Sequence, residues 1–218
     1  MANAGTRRIK RVVCAAAVSL CFAALAEPSR FGGRVVVEWL EQAGVHQRMK
    51  LLEDFAFEDA RGRRWLAPKN HVIDSASIPP AFRSLIGPPF DGAYRKAAVL
   101  HDYYTTAKAD EWRDVRRMFF DASRASDIAE TEAKVMYMAM YAEAQRWEPR
   151  PSSCFGHCHA GRTELVWRPV VAENDLRPIV EWIDSDNPSL DEIDARVDAA
   201  TRKPGPHLFA QGHAPTGQ

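Results

Sequence analysis

Alternating apolar positions dominate residues 34–67. The run RVVVEWL is rich in β-branched and aromatic residues, and Leu51, Phe55 and Phe57 fall on one alternating face of MKLLEDFAFED. Both patterns are typical of strands that bury one face. The turn residues DARG then precede RRWLAP, so residues 55–68 are predicted to form a hairpin. We expect a small antiparallel sheet in this half of the chain.

A proline-rich segment follows between Pro68 and Gly92. It contains five prolines and two glycines, mostly in DSASIPP and IGPPFDG. Proline has no amide donor and a restricted φ, so this segment cannot form a long helix or a central strand. We expect a loop held against the core by five apolar side chains: Ile73, Ile78, Phe82, Leu85 and Ile86.

Apolar positions recur every three or four residues after Gly92, which is the spacing of amphipathic helices. Three runs follow this spacing, over residues 94–104, 115–122 and 127–146. Three helices packed beside a small antiparallel sheet define the α+β fold class.

The C-terminal part has fewer regular patterns. Residues 149–161 are predicted to form a loop. NPSLDEIDARVDAA is predicted to form one short helix that begins with a capping box between Ser189 and Glu192. The residues after Thr201 are rich in Pro, Gly, His and Gln, a composition typical of disorder.

The N-terminal residues have the pattern of a secretory signal peptide. Four basic residues precede an apolar run from Val12 to Ala26 that ends in Ala-Leu-Ala, a typical cleavage sequence. The alternative is an uncleaved anchor, but the run is shorter than the roughly 20 apolar residues of a membrane span. We therefore expect cleavage before Glu27 and an exported protein, either periplasmic or secreted.

The expected domain organisation combines these segments. It consists of a signal peptide, a single α+β domain, an extension with a cysteine loop and a short helix, and a disordered tail, over residues 1–26, 27–148, 149–200 and 201–218. Signal removal would leave 25 basic against 29 acidic residues. Because the mature chain is mildly acidic, nucleic acid is not expected as a partner.

Two cysteines, Cys154 and Cys158, lie in the run CFGHCH. In an exported protein this pair favours a local disulfide. With the neighbouring histidines the same thiols would also suit zinc. The Cys-x-x-x-Cys-His spacing is one residue longer than the usual haem attachment motif. The disulfide is the preferred interpretation, and the metal interpretation stays open.

The main candidate chemistry lies in AAVLHDYY, where His101 and Asp102 are adjacent within a predicted helix. Neighbouring helical side chains point about 100° apart, so the two cannot face one atom in the same way. In a catalytic interpretation His101 is a base and Asp102 a metal ligand or orienting group, joined by Asp74 from VIDSASIPP. In a structural interpretation the same groups are hydrogen-bonded inside the sheet–helix interface.

Two segments of this chain resemble the phage- and bacteria-associated family known as domain of unknown function 1353. They are GRRWLAPKNHVIDSASIPPAFRSLIGPPFDGAYRKAAVLHDYY and VRRMFFDASRASDIAETEAKVMYMAMYAEAQRW, and the resemblance extends over residues 31–147. The family's Asp-x-Ala-Ser-x-Pro and His-Asp elements correspond here to Asp74, Ala76, Ser77, Pro79, His101 and Asp102.

The resemblance also implies an acidic or histidine position in the helix after His-Asp. If Phe119 is the family's aromatic residue, this chain has Arg116 at that position. A scheme that needs a third ligand would then have to use Asp114 or Asp121 instead.

The His-Asp helix is distantly similar to that of secreted phospholipase A2, in which a tyrosine follows, here Tyr104. The similarity implies that His101 activates water, that Asp102 binds calcium, and that a partner-helix Asp orients the histidine. This chain lacks the disulfide framework and glycine-rich calcium loop of that class.

Two functions from different classes follow. The first is an exported, metal-assisted hydrolase that uses calcium or zinc on an ester or membrane-lipid substrate of the envelope. Its candidate site residues are His101, Asp102, Asp74, Ser77 and Tyr104. The second is a non-enzymatic envelope or phage-related interaction protein in which the His-Asp-Asp network is structural. An open pocket at His101 favours the first, and a sealed, internally bonded pair favours the second.

Overall fold

Strands occupy the first half of the molecule and helices most of the second. The computed structural model describes residues 29–41, 48–74, 92–142, 145–150, 162–167, 171 and 173–201. Its strands are β1 (Arg30–Gly32), β2 (Val37–Trp39), β3 (Arg48–Leu51), β4 (Phe55–Glu58), β5 (Arg64–Ala67), β6 (Val72–Asp74), β7 (Gln145–Arg150) and β8 (Arg162–Trp167). Its helices are α1 (Arg95–Ala107), α2 (Trp112–Arg124), α3 (Glu130–Tyr141), α4 (Glu173–Asp186) and α5 (Leu190–Thr201).

The N-terminal strands form two small antiparallel sheets where the sequence predicts one. Their orders are β1-β4-β5 and β2-β3-β6, and β7 pairs with β8 in a separate hairpin. The α+β class predicted from the sequence is confirmed by these sheets and by the helices that pack beside them.

The β4–β5 hairpin forms where its turn residues predict it. One carboxylate oxygen of Asp59 accepts hydrogen bonds from the amides of Arg61 and Arg63, at 2.9 and 3.0 Å. The other oxygen accepts one from the indole nitrogen of Trp65 at 3.1 Å. Gly62 completes the turn with a φ of 77°, which side chains with a Cβ rarely adopt.

The apolar core joins the sheets to all five helices. Leu51, Phe55 and Phe57 are fully buried, as their shared alternating face predicts. Helix α1 packs against β5, β6 and α2, and α2 packs in turn against α3. Within the described ranges, no helix is both long and apolar enough to cross a membrane.

The start of α5 confirms the predicted capping box. The Glu192 carboxylate accepts hydrogen bonds from the Ser189 amide at 2.8 Å and hydroxyl at 2.7 Å. The Glu192 amide donates to the Ser189 hydroxyl at 3.3 Å. Two amides at the helix start are therefore satisfied by side chains.

The structure differs from the sequence prediction after Tyr141. Periodicity predicts a helix to residue 146, but α3 ends at Tyr141 and β7 begins at Gln145. Residues 149 and 150, predicted as loop, continue β7 because β8 pairs with all six residues of that strand.

Helix α4 is not predicted by the sequence pattern. It contains Pro178, which ordinarily indicates the end of a helix. Its buried side chains, Leu176, Ile179 and Ile183, show that tertiary packing stabilises it.

Candidate functional site around His101 and Asp102

His101 lies on α1 with only 2% of its surface exposed. Its Nε2 atom is in hydrogen-bond contact with Nη1 of Arg116 on α2. A guanidinium can only donate, so Nε2 must be the acceptor and the ring proton must sit on Nδ1. Burial first, and the charge of Arg116 second, hold the pKa of His101 well below its ordinary value. The imidazole is therefore neutral.

Other side chains contact the remaining sides of the His101 ring. Nδ1 lies 3.5 Å from the Thr105 hydroxyl, which also donates to the backbone carbonyl of His101. The Phe119 ring meets the imidazole edge to face, with centroids 5.5 Å apart. Arg116 is fully buried, with its guanidinium 5.9 Å from the Trp147 ring centre. These contacts are those of a packed core.

Asp102 faces a different partner, as the 100° separation of neighbouring helical side chains predicts. Its Oδ2 atom lies 3.0 Å from Nε2 of His71, just before β6. The Asp102 side chain is 5% exposed and that of His71 is 11% exposed. The Tyr103 ring meets the His71 ring edge to face at 5.1 Å. An almost buried carboxylate thus orients an imidazole that still touches solvent.

His71 is the site residue that sequence reasoning missed. Its amide donates to the Pro68 carbonyl at 3.2 Å, and its carbonyl accepts from the Leu51 amide at 2.9 Å. The preceding Asn70 has a left-handed φ of 70°, so a tight turn aims His71 at α1. The one available signal was its position three residues before Asp74.

Tyr104 ties α1 to the sheet. Its hydroxyl accepts a hydrogen bond from the Leu66 amide at 2.9 Å, and its ring meets Trp65 edge to face at 5.0 Å. Burial raises the pKa of Tyr104, so the hydroxyl stays protonated. These contacts give Tyr104 a structural role, and its candidate role in the site stays a prediction.

Asp74 ends β6, with its backbone paired to Arg48. Strand β6 packs against α1, which places this part of the chain beside the His-Asp helix as expected. Ser77, Cys154 and Cys158 lie outside the described residues, so the predicted serine role and the predicted disulfide stay predictions.

Asp114 and Asp121 are the two acidic residues that could take the ligand role expected at the position of Arg116. Asp114 accepts a hydrogen bond from Arg63 at 2.8 Å, and it is Arg116 that contacts His101. The pKa of Asp121 is raised to about 6, and burial is the largest cause of that shift. Among the described residues, no group of three or more His, Cys, Asp or Glu side chains could hold a metal ion. Calcium and zinc therefore stay predictions.

The described residues line at least two cavities. One of about 500 Å³ lies between the α1–α2 connection and β7, where Lys108, Asp110, Arg113 and Glu148 contribute to its lining. The other, about 230 Å³, lies over β1, β4 and β5. Neither of these two cavities is lined by His101 or Asp102.

Comparison with known proteins supports the family resemblance. Residues 49–140 match the model of a family described as "Protein of unknown function (DUF1353)". The predicted match is thus confirmed over a shorter span than residues 31–147. That span contains His71, His101, Asp102 and Arg116, so the whole site described above lies within it.

Two curated relatives come from Sinorhizobium fredii. The chain is 41% identical over 98 residues to "Uncharacterized protein y4jT" and 37% identical over 99 residues to "Uncharacterized protein y4iH". Each alignment includes 45% of this chain, and they cover 29% and 41% of the relatives, respectively. The chain therefore matches less than half the length of either relative.

No solved structure matches the chain. Neither relative is described as a phospholipase.

Proposed function

We propose that the domain is a non-enzymatic interaction domain of an exported envelope or phage-related protein. One observation carries the proposal: the guanidinium of Arg116 contacts Nε2 of a buried, neutral His101. A general base needs a lone pair within reach of the proton it removes. The acceptor nitrogen of His101 is already occupied by Arg116, and the other nitrogen carries the ring proton.

The charge of Arg116 also opposes the chemistry expected of the site. A base that removes a proton from water becomes an imidazolium, and a neighbouring carboxylate would stabilise that cation. Arg116 does the reverse. After burial, which is the larger cause, its positive charge holds the pKa of His101 well below the ordinary value, so the imidazolium is disfavoured.

The family resemblance supports the same conclusion. If Phe119 is the family's aromatic residue, it implies an acidic or histidine residue at the position of Arg116, and in the structure this position is in direct contact with His101. A fixed cation at this position, in place of an anion or a neutral ring, disfavours proton uptake by His101. The contact then serves packing and not proton transfer. His101 and Asp102 then brace α1 against α2 and against the turn before β6.

The test compares stability with hydrolysis. We expect the wild-type protein to be inert on a panel of esters and phospholipids with added calcium or zinc. We expect His101→Ala to lower the free energy of unfolding by about 1 to 3 kcal/mol, because the buried Arg116 donor loses its acceptor. Wild-type hydrolysis that His101→Gln abolishes without loss of folding would overturn the proposal.

The second candidate is the hydrolase considered from the sequence, with His71 as the base. The 3.0 Å contact from Asp102 and the residual exposure of His71 favour it, because a carboxylate that orients an imidazole is a common general-base arrangement. His71→Gln should then abolish ester hydrolysis while His101→Gln retains it when folded. Equal activity of wild type and His71→Gln would eliminate this candidate.

Export is part of the proposal and is supported by the order of basic, apolar and Ala-Leu-Ala segments before Glu27. An envelope location would give the domain membrane lipids or envelope proteins as partners.

A further inference from the structure

Helix α5 presents two kinds of side chain to the rest of the molecule. Asp191, Asp194 and Asp198 follow the i, i+3, i+7 spacing of one helical face. Between them, Ile193 and Val197 are fully buried. The helix therefore has the sequence Asp-x-aliphatic-Asp-x-x-aliphatic-Asp, in which both aliphatic side chains are buried.

A matching surface receives these side chains. We define the α5-binding surface as Arg117 on α2, Tyr137 and Tyr141 on α3, and Arg146 on β7. All four carry hydrogen-bond donors, two of them cationic and two phenolic. Carboxylates accept hydrogen bonds and carry negative charge, so the surface is complementary to acidic side chains in both respects.

Asp194 lies at the centre of the contact. One of its oxygens accepts a hydrogen bond from Arg117 at 3.0 Å, and the other accepts one from the Tyr137 hydroxyl at 2.6 Å. Its side chain is 13% exposed, against 84% for Asp191, which Arg117 also contacts. The most buried carboxylate thus has donors from two different helices.

Asp198 repeats the arrangement one turn later. It accepts a hydrogen bond from the Tyr141 hydroxyl at 3.1 Å and lies 3.5 Å from the guanidinium of Arg146. The rings of the two tyrosines lie one turn apart on α3, tilted by 35° with their centres 5.9 Å apart. The spacing of the donors along α3 therefore matches the spacing of the carboxylates along α5.

The segment that matches the family model ends within this surface. Arg117 and Tyr137 lie within residues 49–140, whereas Tyr141, Arg146 and α5 lie beyond them. A helix of 12 residues is marginal in water by itself, so α5 depends on this surface for its stability. The contact combines these ionic and hydroxyl hydrogen bonds with the buried side chains of Ile193 and Val197, so a competing helix must supply both the acidic and the aliphatic positions.

We propose that the α5-binding surface recognises acidic amphipathic helices of partner proteins and that α5 is its intramolecular cover. The partner helix carries the pattern Asp-x-aliphatic-Asp-x-x-aliphatic-Asp, as residues 191–198 do. Binding in trans requires that α5 leaves the surface, so the cover lowers the apparent affinity for a partner. The proposal extends the interaction role, and its test does not involve the His101 region.

The test uses the full chain and a fluorescein-labelled peptide of residues 187–201 in fluorescence anisotropy. The double variant Asp194→Ala/Asp198→Ala weakens the cover, and we expect it to bind the peptide at least about tenfold more tightly than wild type. Addition of Arg117→Glu to that variant should abolish the gain. A control peptide with the three aspartates changed to asparagine should not bind.

Two results would overturn the proposal. The first is a double variant that keeps its circular dichroism spectrum and binds the peptide no better than wild type. The second result serves if the double variant does not fold. It is measured as the order of amide hydrogen exchange in the wild-type chain. Amides of α5 should exchange before those of α3, whereas exchange of both helices only in global unfolding would show that the cover does not open.

Hydrolysis of a substrate by the same protein would leave these binding results unchanged. Failure of the peptide to bind would likewise leave the contact between Arg116 and His101 as it is, so the two proposals fail separately.

Discussion

Replacement of Asp121 by asparagine should stabilise the protein near neutral pH. Asp121 lies on α2, partly buried, and no hydrogen bond to its carboxylate occurs within the described residues. Its pKa is raised to about 6, chiefly by burial and in smaller part by Asp59, while the charges of Arg61 and Arg117 act in the opposite direction. The ionised carboxylate is therefore less favourable in the folded protein than in the unfolded chain.

The sign and size of the effect follow from proton linkage. The pKa is about 6 in the folded state against 3.8 as the ordinary value, so the folded state retains the proton to higher pH. Wild-type stability should thus fall as pH rises from about 4 to about 6 and stay lower above that range. Full burial would make the loss about 3 kcal/mol, and solvent screening of this partly buried group reduces it to roughly 1 kcal/mol.

Urea unfolding of wild type and Asp121→Asn at several pH values measures this difference. We expect the variant to be more stable by roughly 1 kcal/mol above about pH 7 and equal to wild type below about pH 4. Asp175→Asn, at an exposed position on α4, serves as the matched control for the change of one carboxylate to an amide. A variant that is less stable at neutral pH, or a difference that is constant with pH, would refute the reasoning.

Three further predictions concern other parts of the chain. Tyr104→Phe should lower the free energy of unfolding by about 1 kcal/mol, because the Leu66 amide loses its acceptor; an unchanged urea midpoint would contradict this. Intact-mass analysis of exported protein should find a chain that begins near Glu27, and a mature protein that retains Met1 would show that no signal is removed. Alkylation without reduction should leave Cys154 and Cys158 unlabelled, whereas stoichiometric bound zinc would support the metal interpretation.

Short-range features of the fold were predictable from the sequence. The β4–β5 hairpin follows from its turn residues, and Asp59 bonds only to groups within six residues of itself. The capping box at Ser189 likewise involves residues three apart. Such contacts form between neighbours in the chain, so local residue order contains the information that they need.

Strand pairing was harder to predict. The end of α3 was placed too late and α4 was missed. Strand β7 depends on pairing with β8, from Gln145 with Trp167 to Arg150 with Arg162, and periodicity within one segment does not report such a partner. Packing of buried side chains stabilises α4 despite Pro178, against the local preference.

For the candidate site, the sequence determined that His101 and Asp102 would point to different neighbours, because helical geometry separates adjacent side chains by about 100°. The family resemblance also indicated that Arg116 departs from the acidic or histidine residue expected in the helix after His-Asp. Only the tertiary structure decided the neighbours themselves. Arg116 lies 15 residues from His101 and His71 lies 31 residues from Asp102, and both are brought into contact by packing of α1 against α2 and the sheet. Burial then lowers the pKa of His101 and keeps the imidazole neutral. Desolvation is a property of the folded interior, so no single residue of the sequence reveals it.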